Sequence, residues 1–184
     1  MKLILSLVFI IFNCFIIVGG NLAIKPGEFA IYLTKDDIPP VQMLYLSHYD
    51  ISEKPVISQR DIVTYNEQTH ELKLTPSSFE RIASLDVPVQ GRSFVVCVGK
   101  KPVYWGAFWN PVSSISFNGV TIWKPYTDQD PAIVKLELGY PSPDFYSGND
   151  PRNSPEILKN LEHAGKLITT LRPSDSITNY ALAP

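Results

Sequence analysis

Cysteine is almost missing from this chain: 184 residues contain two, Cys14 and Cys97. Cys14 sits inside an apolar N-terminal run that reads as a removable leader, which leaves Cys97 alone and excludes an internal disulfide. "FVVCV" places Cys97 on an apolar strand, as a small buried residue rather than a nucleophile. An excess of one charge is also missing. Sixteen basic and 18 acidic residues give a net charge of −2, so nothing steers the protein to nucleic acid or to an anionic membrane surface. Catalytic signatures are absent too: there is no glycine-rich phosphate loop and no HExxH. Ser113 and Ser114 lack the flanking glycines of a nucleophile elbow.

Histidine is scarce, with three in the chain. A metal site wants several ligands at helix or strand spacing. His48 stands two residues from Asp50, and His70 adjoins Glu71 on the opposite face of an alternating segment. His70 shares its face with Leu72 and Leu74, which favours a hydrogen-bonded structural role. His163 falls in the last turn of a helix, where a cation suits the dipole. No metal and no cofactor is expected. Long apolar runs are confined to "MKLILSLVFIIFNCFIIVGG" (1–20). One lysine, an apolar core and a small-residue exit are the layout of a secretory signal peptide, with an uncleaved anchor as the alternative. The expected location is secreted, periplasmic or cell-envelope, with membrane contact only through this segment if it is retained.

Proline and aromatic residues are plentiful: 16 Pro, nine Tyr, nine Phe and three Trp. Proline cuts the chain into short pieces. "EFAIYL" (28–33) and "QMLYLSH" (42–48) read as strands, and "SQRD" (58–61) as a capping box opening a short helix through "DIVTYN". "THELKLT" (69–75) alternates as a strand. "TPSSFERIASL" gives a helix capped at Thr75 with Pro76 first. "RSFVVCV", "GKK" and "PVYWGAFW" form a hairpin. "SSISFNGVTIW" switches its apolar phase at Asn118-Gly119, as a tight hairpin or as one strand with a bulge. "IVKLEL" (133–138) is a further strand, and "SPEILKNLEHAGKL" a helix closed by Gly165. The expected fold is α+β: a largely antiparallel sheet with two or three helices packed on one face. It forms a single domain over 21–184 with a loose tail from about 172.

The succession "PVISQRDI", "THELKLTPSSFERI", "GRSFVVCVGKKPVYWGAFW" and "SSISFNGVTI" resembles the head of the large periplasmic domain in SecD and SecF protein-export subunits. The resemblance covers residues 55–122. It implies a head-like fold outside the membrane and an affinity for extended polypeptide, and it implies no catalytic residue. That family is embedded by several membrane helices; beyond its N-terminus this sequence shows none.

Two segments stand out. In "PVYWGAFWNP" (102–111), strand alternation sends Val103, Trp105, Ala107 and Trp109 one way and Tyr104, Gly106 and Phe108 the other. The expectation is tryptophans inside, with Tyr104 and Phe108, separated by the gap at Gly106, offering an aromatic surface to a partner. "YPSPDFYSGNDPRNSP" (140–155) sets Asp144, Asn149, Asp150 and Arg152 among Tyr140, Phe145 and Tyr146. It is a binding loop, or a connection in which Arg152 pairs with Asp150. The sequence thus points to a non-enzymatic binding module for extended polypeptide, an envelope component or a second copy of itself, through Tyr104, Phe108, Asp144, Tyr146, Asp150 and Arg152. The alternatives are an extracytoplasmic hydrolase using Asp144, Asp150, His48 or His70, and a carbohydrate-binding module.

Overall fold

A computed structural model describes residues 27–127 and 131–169. The leader at 1–20 and the tail from 172 lie outside the described residues. Strands β1 (Phe29–Leu33), β2 (Ile57–Ser58), β3 (Ile62–Asn66), β4 (Glu71–Leu74), β5 (Arg92–Val98), β6 (Lys101–Trp109), β7 (Phe117–Trp123), β8 (Ile133–Tyr140) and β9 (Leu167–Ile168) build one sheet. Helices α1 (Pro40–Met43), α2 (Pro76–Ala83) and α3 (Pro155–His163) complete a single mixed α and β domain. The strand order is β2-β1-β5-β6-β7-β8-β4-β3-β9.

The large core lies on the face that carries α2 and α3. Phe79, Ile82 and Ala83 of α2 and Ile157 and Leu161 of α3 pack there on Phe29, Ile31, Phe94, Val96, Phe108, Ile122, Leu136, Leu72 and Leu74. Helix α3 touches β1, β5 and β9, which stand at opposite ends of the strand order, so the sheet must curl around it. Asn160 fastens that curl. Its side-chain oxygen accepts from the Phe29 amide at 2.8 Å, and its amide nitrogen donates to the Gly27 carbonyl.

Six of the eight strand pairs are antiparallel, and β3–β9 and β6–β7 are parallel. The β5–β6 hairpin turns at Gly99 and Lys100, both at positive φ, as a two-residue turn matching strand twist requires. The β6–β7 pair departs from the expected succession of short turns. Residues 110–116 run back along the sheet without a helix, so that Gly106 pairs with Val120 and Trp109 with Trp123. Tyr140 fixes this crossover by donating to the carbonyls of both Pro111 and Ser113 at 2.9 Å.

Other expectations meet particular outcomes. Helices α2 and α3 start at Pro76 and Pro155 as expected, and α3 ends before Gly165 at φ +66, but neither Thr75 nor Ser154 makes the side-chain cap hydrogen bond expected of it. "SSISFNGVTIW" is one strand with a register shift between Phe117 and Val120. The capping box at Ser58 and Asp61 is present, but its helix ends after one 3-10 turn, and Ile62-Val63-Thr64, stiff at χ1, continue as β3. "QMLYLSH" is not a strand. Pro40 opens the short helix α1 instead, and Leu44, Tyr45 and Leu46 face solvent. Helices α2 and α3 share a face as expected, whereas α1 packs on the other through Met43, beside Ala30, Tyr32, Val95 and Cys97.

Candidate functional site

From Tyr104 to Trp109 the alternation of β6 holds and Trp109 is buried as expected, whereas Val103, beside a register shift, packs on the same core as Tyr104 and Phe108. Phe108 is fully buried in the large core and meets Phe94 edge-on at 5.3 Å. It offers nothing to a partner, and the expectation of an aromatic surface at Phe108 is corrected. The gap at Gly106 is filled as well. A Cβ there would lie 2.4 Å from the Val120 carbonyl oxygen and 2.6 Å from the Phe94 ring. The reason is that α2 and α3 cover this face of the sheet, so its rings serve as core.

Tyr104 also packs against that core, and its hydroxyl is buried with no hydrogen-bond partner. Burial holds its phenol well above the ordinary range, with the neighbouring Tyr65 adding to the effect. Around it the chain gathers polar residues from the 140–155 loop and the β3–β4 turn. Arg152 is 8% exposed and donates from Nε and Nη2 to the two oxygens of Asp150, at 2.9 and 2.7 Å, and from Nη1 to the Leu136 carbonyl at 2.7 Å. Tyr65 donates within reach of the Arg152 carbonyl and Asn153 Oδ1, and its hydroxyl stands 3.1 Å from His70 Nδ1. Tyr146 donates to the Asn149 carbonyl at 2.6 Å and packs on the core. Tyr104, Tyr146, Asp150 and Arg152 thus belong to one locality, which the sequence, reading the β6 face and the 140–155 loop as two separate surfaces, left open. Arg152 has its donors committed inside the fold, which is the behaviour of a structural ion pair.

His70 does not continue the strand alternation. It occupies the end of the β3–β4 turn at φ +57, and burial lowers its pKa, so the imidazole is neutral near pH 7. His48 lies 3.6 Å from Asp50 with both side chains mostly in solvent, so this pair has no water-excluding cleft around it. Asp144 is exposed and accepts from Ser142 at 3.3 Å. His163 is exposed in the last turn of α3. Cys97 is buried, and burial pushes its thiol up to about 11. Among the described residues no three His, Cys, Asp or Glu side chains converge on one point.

The opposite face of β6 carries the feature that sequence reasoning missed. Trp109 is buried and stacks on Phe117 at 5.1 Å and 12°, and Trp105 and Tyr140 join them. Above this aromatic floor opens a groove of about 530 Å³. Besides Trp109, it is lined by Pro40, Val41 and Leu44 from α1 and its C-cap, by Ile115, Ser116, Phe117 and Asn118 from the crossover and the start of β7, and by Gln90 and Phe145. No lining residue is charged. Val41, Leu44, Ile115 and Phe145 are 62%, 54%, 48% and 46% exposed, so the rim presents apolar side chains to water. The 140–155 loop does reach a candidate site, but through Phe145 rather than through Asp144 or Arg152. The signal available in the sequence was negative. Segments 38–47, 87–91 and 110–118 contain no Asp, Glu, Lys or Arg in 24 positions, where the chain average of 18% would place about four. No protein-family model, curated protein or solved structure matches the chain.

The orphaned Tyr104 hydroxyl gives a direct test of how this region is satisfied. Tyr104→Phe removes a buried polar group that has lost water and gained no partner, and is expected to stabilise the domain by about 1 kcal/mol. The raised phenol pKa means its neutral form is favoured by folding, a contribution present below about pH 10 and lost as pH rises further. Urea unfolding of Tyr104→Phe should therefore show a smaller alkaline loss than the parent protein. A variant less stable than the parent at neutral pH contradicts the orphaned state.

Proposed function

We propose that the protein is a non-enzymatic interaction module that works outside the cytoplasm and docks an uncharged apolar surface on the face built by 38–47, 87–91 and 110–118. One observation carries this reading: the groove over Trp109 and Phe117, whose rim exposes Val41, Leu44, Ile115 and Phe145 and whose lining holds no charge. Contiguous exposed apolar surface marks interaction sites, and depletion of charge is the compositional signal of an interface centre. The leader-like sequence at 1–20 supports placement outside the cytoplasm, and the resemblance of 55–122 to an export-subunit head supports polypeptide as the class of partner.

The test uses the neutral apolar dye Nile red. Binding in the groove moves the dye out of water, so its emission should rise and shift to the blue with the parent protein. Leu44→Glu, at an exposed position, should weaken that binding by about tenfold or more while the fold persists. Equal dye binding by the two proteins removes the groove from consideration.

A further inference from the structure

We infer that Asn118 is a modification site: loss of its side-chain amide, driven by the Gly119 nitrogen, places a carboxylate on the groove and closes it to apolar occupants. The inference rests on the reading of the groove as an apolar docking face, and it names what regulates that face.

Asn118 is the only asparagine in the chain that precedes a glycine. In such a pair no side chain obstructs attack by the following backbone nitrogen on the carboxamide, and the glycine backbone turns freely to allow it. The fold adds exposure and loose pairing. Asn118 is exposed. Both residues fall in the register shift between Phe117 and Val120, where they stand opposite the single Gly139 and match no residue of β6 or β8. Outside the strand ladder the polar contacts of Asn118 are with one residue. Its Nδ2 donates to Ser147 Oγ at 3.1 Å, and its carbonyl accepts from the Ser147 amide at 3.2 Å. Ser147 is itself exposed and precedes Gly148 at φ +108, so a local opening of that loop releases both contacts. Gly119 is not replaceable. A Cβ there would lie 2.5 Å from the Phe117 ring, which stacks on Trp109 in the groove floor. The packing that builds the floor therefore keeps the reactive pair in the chain.

The step needs only water. The Gly119 nitrogen gives its proton to solvent and bonds to Asn118 Cγ, and the side-chain nitrogen leaves as ammonia. Water then adds to the cyclic imide and opens it at either carbonyl, giving aspartate or its β-linked isomer, and nothing is oxidised or reduced. The consequence falls on the groove, because Asn118 lines it and no lining residue is charged. The new carboxylate is the first charge there, and an apolar occupant that covers it must strip its water. The β-linked isomer also lengthens the main chain by a carbon next to Phe117, which disturbs the floor.

The experiment ages the purified protein in neutral and in mildly alkaline buffer and follows every asparagine by peptide mass mapping. Asn118 is expected to convert first, and faster at the higher pH, because the attacking nitrogen must lose its proton. The converted fraction, separated by anion exchange, and the variant Asn118→Asp should each bind Nile red about three- to tenfold more weakly than fresh protein. Circular dichroism of Asn118→Asp shows that the fold is retained at this exposed position. Asn118→Gln, whose longer side chain closes to an imide far less readily, should keep through ageing whatever dye affinity it starts with. An Asn118 that stays intact in the folded protein while the same chain in urea converts it overturns the inference and leaves the docking face standing. So does a converted fraction that binds dye as fresh protein does while Leu44→Glu binds less. Fresh protein that binds no dye removes the docking face and this control of it together.

Discussion

Phe108→Ala should cost the domain about 3–5 kcal/mol. The ring is fully buried, meets Phe94 edge-on at 5.3 Å and lies between the sheet and its two longer helices. Truncation loses the transfer energy of the ring and leaves a cavity that the stiff strands on either side cannot collapse into. Domains of this size are stable by only about 5–15 kcal/mol, so much of the total is at stake. Urea or thermal unfolding reads the loss directly. The half-buried Trp105 on the other face provides the contrast, and its replacement by Ala should cost less. A Phe108→Ala protein of parent stability that has lost dye binding would restore Phe108 as a contact residue and reject the burial described above.

The second large effect is expected at Arg152. Replacing it with Ala removes the fork that grips Asp150 and leaves the Leu136 carbonyl without its Nη1 donor. The remaining carboxylate is partly solvated, with 39% of its side chain exposed, which limits the penalty to about 2–3 kcal/mol. Arg152→Lys should recover little, because an ammonium cannot form the fork. The pH dependence supplies an independent readout. The Arg152 side chain, through its hydrogen bonds, holds the Asp150 carboxyl below the usual carboxylate range against the opposing effect of burial. The resulting stability is present above the ordinary carboxylate pKa and is lost as pH falls through that range. The parent should therefore lose stability faster than Arg152→Ala on acidification through and below about pH 4. Parallel pH profiles for the two proteins would show that the pair contributes nothing to folding.

Much of the architecture was legible in the sequence wherever a local signal agreed with the packing. Pro76 and Pro155 open helices, Gly165 closes one, and alternation marks β4 through Leu72 and Leu74. Alternation along β6 correctly divided Tyr104 and Phe108 from Trp105 and Trp109, but periodicity does not say which face the helices cover. That assignment depends on where α2 and α3 land, a matter of contacts distant in sequence. The pairing of Arg152 with Asp150 was legible because the two residues are neighbours. The groove was not, because its walls come from residues 40–44, 115–118 and 145, joined only by tertiary structure. Short exposed loops also carry no period that a pattern could detect. "QMLYLSH" misled for a related reason: an apolar run that faces water looks the same as one destined for a sheet.

The parallel pairing of β6 with β7 bears on how the chain reaches its native state. Residues 102–123 contain no charged side chain; Asn110 and Ser113 tie their return path to the Val87 and Val89 carbonyls, and Tyr140 completes it by bonding to the Pro111 and Ser113 carbonyls. Until β8 has been made and paired, this uncharged stretch rich in rings lacks its Tyr140 clasp, and β7 lacks one of its two neighbours. Such stretches are prone to aggregate. The wait for β8 makes synthesis of this segment the stage at which the molecule most needs shielding.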